Sequence, residues 1–271
     1  MTGRLEGKLV VITGASGLLG QEHSKAVLEE EGHVVLLDID IAALEKFKNS
    51  ISPDWSKRTT IFHCDITDED QVRDIAKQVF DQLGVPQGLV NNAAINPSVE
   101  KNTMTFTRLE DLQVEDWDLQ LRVGLTGTLL CSRIFGAKMV SQGIKGSIVN
   151  IASDHALIAP NQSLYRVDGL SEREQPVKPI TYSVVKHGLI GLTRYLATYW
   201  AKDGIRTNAL CPGGVLNEQP LNFLERFNAL VPMGRPAFPH EYRGALVFML
   251  SDESSYMNGA NVVIDGGRSV W

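Results

Sequence analysis

Short apolar runs alternate with longer amphipathic segments along most of the 271-residue chain. The short runs are rich in Val, Ile and Leu and lack the alternation of a half-exposed strand, so they predict strands buried on both faces of a parallel sheet. The seven predicted strands lie at residues 8–13, 33–37, 60–64, 88–91, 146–151, 206–210 and 261–264.

The segments between these strands carry apolar residues at helical spacing. Six helices are predicted, at residues 18–31, 42–50, 68–83, 114–141, 181–202 and 239–250. Strands that alternate with helices form crossover units, so the predicted fold class is α/β. We expect a single doubly wound, Rossmann-like domain over residues 1–271, with a mostly parallel seven-stranded sheet.

Three stretches break the regular alternation, at residues 95–111, 154–180 and 212–239. In open α/β sheets ligands bind beyond the carboxyl ends of the strands, and each stretch follows a predicted strand or lies close to one that does. Segments 154–180 and 212–239 are therefore predicted to be substrate-binding insertions. The alternative is that all three are surface loops without a role.

A glycine-rich turn follows the first predicted strand and opens the first helix, with glycines at 14, 17 and 20. Such a turn lets the backbone approach a pyrophosphate, which the helix N-terminus then faces. Asp38 ends the second strand, where its carboxylate would accept hydrogen bonds from the adenosine ribose and repel a 2′-phosphate. Ile39 follows where a basic residue would suit NADP, so NAD is the predicted cofactor.

Tyr182 and Lys186 stand four residues apart on a predicted helix and share one face. A neighbouring ammonium could lower the pKa of the phenol from about 10 to about 7.5, which takes roughly 3 kcal/mol. The alternative is an ordinary solvated pair. Ser153 ends another apolar run, but Ser153, Asp154 and His155 are not predicted to form a hydrolytic triad, because neighbours on one strand point to opposite faces.

Composition and charge exclude several classes of protein. The net charge is −6, without a long run of either sign, so no nucleic-acid partner is predicted. The polar start and the short first apolar run predict neither a signal peptide nor a membrane span, and we expect a cytoplasmic protein. Three scattered cysteines predict buried thiols, and the six histidines lack ligand spacing, so no metal is predicted.

The motifs together resemble the short-chain dehydrogenase/reductase family over nearly the whole chain. The resemblance rests on residues 13–16, Asp65, 91–94, Ser153, Tyr182 with Lys186, 212–213 and 265–267. It implies an NAD-dependent oxidoreductase that transfers a hydride between a nicotinamide and a secondary alcohol or ketone. Ser153, Tyr182 and Lys186 would then be the catalytic residues.

The resemblance also implies the positions of the cofactor contacts. Asp65 and Ile66 would line the adenine pocket, Asn91 and Ala93 would border the adenosine and its ribose, and Lys186 would hold the nicotinamide ribose. The other predicted cofactor-binding residues are Gly14, Ser16, Gly17, Leu18, Leu19, Gly20, Asp38, Ile39, Asn92, Ala94, Tyr182, Pro212, Gly213, Val215 and Asn217.

Two departures from the family pattern leave alternatives open. The middle glycine of the turn is Gly17 rather than residue 18, a spacing that resembles the extended branch and favours an epimerase or dehydratase with tightly bound NAD. Gly124 stands where the family usually has the Asn of its catalytic tetrad. This substitution leaves a non-catalytic NAD-binding regulator as a second alternative.

The insertion between Ser153 and Tyr182 predicts a hydroxyl-rich substrate, because it carries Tyr165, Arg166, Asp168, Glu172 and Arg173. Residues 211–220 and 223–227 resemble the flagellin-modification (legionaminic acid pathway) subgroup. That resemblance implies a sugar phosphate or nucleotide sugar in surface-glycan biosynthesis, whose phosphate Arg166, Arg226 or Arg235 could bind. The family resemblance also implies a homodimer or homotetramer.

Overall fold

The computed structural model describes residues 3–96 and 108–271. Its strands are β1 (Leu9–Thr13), β2 (His33–Asp38), β3 (Thr59–His63), β4 (Gly88–Asn91), β5 (Gly146–Ile151), β6 (Ile205–Pro212) and β7 (Asn261–Ile264). They form one sheet in the order β3-β2-β1-β4-β5-β6-β7, and every neighbouring pair is parallel. The predicted fold class and sheet are confirmed.

Helices cover both faces of this sheet. The helices are α1 (Leu18–Glu29), α2 (Ile41–Ser50), α3 (Pro53–Lys57), α4 (Glu69–Gln82), α5 (Val114–Leu121), α6 (Thr128–Ser141), α7 (Ile180–Tyr199), α8 (Leu221–Asn228) and α9 (Arg243–Leu250). Alternate residues of β1 enter the two cores: Val10 and Ile12 pack with α1, α2 and α9, whereas Val11 packs with α4, α6 and α7. Both faces of the sheet are therefore buried, as its uninterrupted apolar strands predict.

The predicted helix over residues 114–141 is interrupted. A π-helical turn at Arg122–Gly127 separates α5 from α6. A β-carbon at Gly124 would lie 2.3 Å from Cγ1 of Val185, and one at Gly127 would lie 2.5 Å from Cδ1 of Ile66. The two glycines therefore let this turn pack closely against its neighbours, a long-range contact that helical periodicity does not contain.

Other element boundaries also differ from the prediction. Helix α7 ends at Tyr199, because a 3₁₀ turn at Ala201–Asp203 follows and Gly204 then turns the chain with φ 81°. Helices α3 and α8 were not predicted. Of the irregular stretch 95–111, residues 97–107 lie outside the described residues.

Cys64, Cys131 and Cys211 are buried and unpaired, as predicted. Within the described ranges, no helix combines the length and the apolar content that crossing a membrane requires.

Candidate active site

A cleft of about 780 Å³ lies at the carboxyl ends of the strands, where the strand order reverses between β1 and β4. This is the position at which doubly wound sheets bind ligands. Most residues predicted for the site line it, including Ser153, Tyr182 and Lys186. The lining cofactor candidates are Gly14, Ser16, Gly17, Leu18, Leu19, Asp38, Ile39, Asp65, Ile66, Asn92, Ala93, Ala94, Pro212, Gly213, Val215 and Asn217.

The glycine-rich turn has the shape that a dinucleotide phosphate requires. Gly14 has φ 60°, and a β-carbon there would lie 2.6 Å from Cα of Ala93. Gly17 is the N-cap residue of α1 and has no side chain that could accept hydrogen bonds from the first amides of the helix. Those amides are therefore available to a ligand. Gly20 lies behind the turn rather than in the cleft, where a β-carbon would meet the Gly14 oxygen at 2.3 Å. The turn therefore fits the phosphates of a nicotinamide dinucleotide.

Asp38 is fixed at the rim of the cleft by the backbone around it. Its Oδ2 accepts a hydrogen bond from the Ser16 amide at 2.9 Å, and its Oδ1 accepts one from the Asp40 amide at 3.0 Å. Ile39 beside it is 66% exposed. Because a carboxylate oxygen has two acceptor sites, both oxygens retain capacity for a ligand hydroxyl.

Asn91 is not among the residues that line the cleft, so the geometry gives its predicted contact with the adenosine no support. Its side chain is buried and donates to Oγ of Ser132 at 2.9 Å and to Oδ1 of Asn150 at 2.8 Å. Asn92 is the amide that lies at the site, where it donates to the carbonyl oxygens of Thr13 and Gly14. Successive residues at the end of β4 point in opposite directions, so Asn91 faces the core beneath α6 and Asn92 faces the cleft.

The catalytic candidates meet at the end of β5. Ser153 caps a 3₁₀ turn at Asp154–Ala156, and the first turns of α7 carry Tyr182 and Lys186. The Lys186 ammonium donates to the Ile151 carbonyl at 2.8 Å and lies 5.6 Å from the centre of the Tyr182 ring. The serine, the phenol and the ammonium therefore share one side of the cleft.

Desolvation dominates the electrostatic environment of the Tyr182 phenol. Burial raises the pKa of Tyr182 to about 12, and the influences that lower it are a hydrogen bond with Ser153 and the charge of Arg268. Burial also lowers the pKa of Lys186 to about 8. The pKa of the phenol therefore lies above its usual value rather than below it, because desolvation outweighs the attraction of Arg268.

A buried ion pair that the sequence did not indicate supports Ser153. Arg268 donates to Oδ2 of Asp154 at 2.7 Å, and both side chains are almost fully buried. Ser153 donates to the other carboxylate oxygen at 2.8 Å. The guanidinium also lies 5.2 Å from the centre of the Phe227 ring. Arg268 follows the last strand and is 114 residues from Asp154, so no local motif connects them.

Residues 153–155 do not lie on a strand, which corrects the reason given for excluding a triad. The chain turns after Ile151, and the imidazole of His155 packs against the Tyr182 ring with centroids 5.7 Å apart. Its Nε2 lies 3.2 Å from Nη1 of Arg268. His155 therefore belongs to the wall of the cleft.

The three arginines suggested as phosphate ligands do not line the cleft, and the two insertions contribute mainly apolar and aromatic wall residues together with Lys178. Arg166 pairs with Glu172 and Arg235 with Glu241, and neither arginine lines the cleft; nor does Arg226. The residues of the insertions that do line it include Leu164, Tyr165, Lys178, Phe223, Leu224 and Phe227. Arg268, outside both insertions, is the arginine that reaches the cleft.

Lys178 brings a second cation to the Tyr182 phenol. Its ammonium lies 4.1 Å from the centre of the Tyr182 ring and donates to Oδ1 of Asn96 at 2.8 Å. Lys178 approaches Tyr182 from four residues earlier in the chain, just before α7, whereas Arg268 approaches it from beyond the last strand.

The comparisons with known proteins identify the family. The model of short chain dehydrogenase matches residues 8–166, and the model of Enoyl-(Acyl carrier protein) reductase matches residues 170–269. The chain belongs to the short-chain dehydrogenase/reductase family, and it is an oxidoreductase whose fold binds a nicotinamide cofactor.

Relatives cover nearly the whole chain. The NADH-dependent L-xylulose reductase of Ambrosiozyma monospora is 31% identical over 100% of this chain and 98% of its own. The D-threitol dehydrogenase of Mycolicibacterium smegmatis is 29% identical over 98% and 95%. A crystal structure of a short chain dehydrogenase from Leptospira borgpetersenii with bound NAD⁺ has TM-score 0.85 and 30% identity, covering 98% of this chain and 94% of that one.

Proposed function

We propose that the protein is an NAD-dependent oxidoreductase that interconverts a secondary alcohol and a ketone on a polyhydroxylated substrate. The observation that carries the proposal is that a single cleft is lined both by residues suited to bind the cofactor and by residues suited to move the substrate proton. The Gly14 turn and Asp38 lie at its cofactor end, and Ser153, Tyr182 and Lys186 lie together on its other side.

The bound nicotinamide supplies the hydride acceptor or donor. Tyr182 takes the hydroxyl proton of the substrate during oxidation and returns it during reduction. Ser153 forms a hydrogen bond with the phenol that favours its ionised form, and it lies where the reacting oxygen would be bound; without substrate its hydroxyl also donates to Asp154. Lys186 would bind the hydroxyls of the nicotinamide ribose.

We propose NAD rather than NADP. Asp38 presents a carboxylate whose orientation the amides of Ser16 and Asp40 fix, and the exposed neighbour Ile39 has no charge to offer a phosphate. A 2′-phosphate placed near that carboxylate would meet electrostatic repulsion.

We favour a neutral polyol over a phosphorylated sugar; besides Lys186, the cations that line the cleft are Lys178 and Arg268, and Arg268 is paired with Asp154. The arginines that the sequence suggested as phosphate ligands do not line the cleft, and Arg166 and Arg235 are paired with carboxylates. Curated relatives include a D-threitol dehydrogenase, an L-xylulose reductase and an NAD-dependent glycerol dehydrogenase. A role in surface-glycan biosynthesis stays a prediction.

The test is formation of NADH by the purified protein with a panel of polyols, in parallel with NADP, sugar phosphates and nucleotide sugars. We expect net reduction of NAD with a polyol. Tightly retained NAD with no net reduction during substrate turnover would instead support the epimerase or dehydratase alternative. Binding of NAD without turnover of any compound in the panel would support the second alternative, a non-catalytic NAD-binding regulator.

We also propose a homodimer or homotetramer that forms through α6 and α7. Tyr195 and Tyr199 are stacked on α7 and are 62% and 63% exposed, and Leu129 of α6 is 43% exposed. Exposed apolar and aromatic residues on neighbouring helices are typical of interfaces. Light scattering of the purified protein gives the mass; a monomer at all concentrations would contradict this proposal.

The cytoplasmic location stays a prediction.

A further inference from the structure

The turn after β7 carries Arg268 to the wall of the cleft. The carboxylate of Asp265 accepts hydrogen bonds from the amides of Gly267 at 2.9 Å and Ser269 at 2.8 Å. Gly267 has φ 87°, in the left-handed region that favours glycine, and a β-carbon there would lie 2.9 Å from Cγ of Pro232. This turn, which the sequence marks only as a family motif, therefore fixes the backbone that leads into Arg268.

The guanidinium of Arg268 meets the carboxylate that contacts Ser153. Its Nη1 donates to Oδ2 of Asp154 at 2.7 Å, and the two side chains are only 6% and 3% exposed. Oδ1 of the same carboxylate accepts from the hydroxyl of Ser153 and from the amide of His155, both at 2.8 Å. Burial of a lone carboxylate is costly, so Arg268 is the partner that stabilises this charge. The Ser153 hydroxyl is therefore oriented by a carboxylate that Arg268 holds.

The same connection reaches the phenol, because Ser153 forms a hydrogen bond with Tyr182. Burial has the largest influence on the pKa of Tyr182 and raises it; the charge of Asp154 also raises it, whereas the charge of Arg268 lowers it. In the described part of the chain, the titratable and charged groups around the phenol are Asp154 and His155 after β5, Lys178 before α7, Lys186 in α7, Tyr242 before α9 and Arg268 after β7. The two charges of the ion pair therefore act on the phenol in opposite directions.

We infer that Arg268 and Asp154 are positioning residues for the proton transfer by Tyr182. Asp154 orients the hydroxyl of Ser153, and Arg268 holds that carboxylate in place and balances its charge. The phenol consequently lies beside a neutral pair instead of a lone negative charge, which would disfavour its ionised form. This inference rests on the proposed function and adds to it two residues that act through Ser153 and through their charges.

Four variants separate the charges of the pair from its hydrogen bonds. Arg268→Gln keeps a donor for Asp154 but removes the cation, whereas Arg268→Lys keeps the cation. Asp154→Asn keeps an acceptor for Ser153 without the negative charge, and Asp154→Asn/Arg268→Gln has neither charge. Arg235→Gln is the matched control, because Arg235 pairs with Glu241 at a more exposed position that does not line the cleft.

The first readout is the titration of the phenol itself, which does not depend on turnover. Carbon NMR of protein labelled in its tyrosine rings follows the six tyrosines, and Tyr182→Phe assigns the resonance. We expect Asp154→Asn to lower the pKa of Tyr182 and Arg268→Gln to raise it, each by about one pH unit, because they remove charges of opposite sign. Arg268→Lys, the double variant and Arg235→Gln should titrate close to the parent. Structural damage alone would not move the two single variants in opposite directions.

The second readout is the rate of polyol oxidation with NAD at pH 8. We expect kcat/KM to fall by about tenfold in Arg268→Gln, because a rise of one pH unit makes the ionised phenol about tenfold rarer. Arg268→Lys and the double variant should keep most of the parental value. The affinity for NAD, measured by fluorescence titration, should change little in any variant, since the pair lies in the other half of the cleft.

Opposite changes in the phenol pKa, with recovery in the double variant, support the inference. Changes in the same direction in Asp154→Asn and Arg268→Gln, or no change in either, overturn it and leave the proposed function standing if the parent forms NADH with a polyol. If Arg268→Gln does not fold, an unchanged phenol pKa in Asp154→Asn overturns the inference by itself. A parent that forms no NADH with any alcohol overturns the proposed function and the inference with it, even where the opposite changes are seen.

Discussion

The cleft has two halves that are built in different ways. The cofactor half, formed by residues 14–20 with Asp38 and Asp65, consists of turns at the ends of neighbouring strands. The substrate half, formed by residues 153–155 with Tyr182 and Arg268, depends on side chains from distant parts of the chain; Asp154 and Arg268 are 114 residues apart. The first half therefore depends on backbone geometry, whereas the second depends on buried charge.

The largest effect is expected in the substrate half, from Tyr182→Phe. Removing the phenol removes the proton acceptor and donor, so kcat for polyol oxidation should fall by about 10²- to 10⁴-fold. Binding of NAD, followed by fluorescence titration, should change little because the cofactor half is intact. Tyr256→Phe, at a fully exposed position, is the control; equal activity of Tyr182→Phe and the parent would remove Tyr182 from the mechanism.

Breaking the buried ion pair with Arg268→Leu should cost about 3–5 kcal/mol of unfolding free energy, because Asp154 is left as an uncompensated buried charge. The double variant Asp154→Asn/Arg268→Leu should recover part of that loss. Arg235→Leu breaks the more exposed pair with Glu241 and should cost only about 0–1 kcal/mol. Urea denaturation compares the three variants, and equal losses for the two single ones would contradict the distinction.

In the cofactor half, Asp38→Asn should change the cofactor specificity, and it also loses one of the two oxygens that accept the Ser16 and Asp40 amides. Loss of the carboxylate weakens its ribose contacts and relieves repulsion of a 2′-phosphate, so the ratio of kcat/KM with NAD to that with NADP should fall by about 10- to 100-fold. Asp74→Asn, exposed on α4, is the charge-matched control. An unchanged ratio, or a parent that works as well with NADP, would show that Asp38 does not select the cofactor.

A smaller effect is expected at the contact between the π-helical turn and α7. Gly124→Ala places a methyl group 2.3 Å from Cγ1 of Val185 and should cost about 1–3 kcal/mol through overpacking. Val185→Ala in the same chain should restore most of that stability by removing the obstructing methyl groups. Thermal unfolding measures the stability of the single and the double variant. If Val185→Ala does not restore stability, the contact with Val185 is not the cause of the loss.

The difference between the halves also explains how much the sequence alone could predict. The Gly14 turn, Asp38 and the strands follow from local spacing, because neighbouring residues along the chain form each feature. The role of Arg268 could not be predicted, because only the fold brings it next to its partner Asp154. His155 was excluded by assuming that β5 continues past Ile151, and Ser153 instead begins a turn.

The bounds of the strands and helices show the same limit of prediction from local sequence. Strands β4, β5 and β7 have the predicted bounds, because apolar runs between glycine and polar residues mark them clearly. Helix α8 carries Phe223 and Phe227 four residues apart, a signal that was available but was obscured by the surrounding proline-rich segment. The spacing of Tyr182 and Lys186 predicts their shared face, whereas the pKa of the phenol depends on burial that spacing does not report.

The central claim is that the phenol of Tyr182 exchanges the substrate proton, and the pH dependence of kcat/KM tests it most directly. Burial raises the pKa of Tyr182 to about 12, so the phenol is protonated at neutral pH and the ionised form needed for oxidation becomes more abundant as the pH rises. The account predicts that kcat/KM for polyol oxidation by the parent increases from about pH 6 to about pH 9, and that the residual rate of Tyr182→Phe lacks this increase. A flat profile for the parent, or the same increase in Tyr182→Phe, would contradict it.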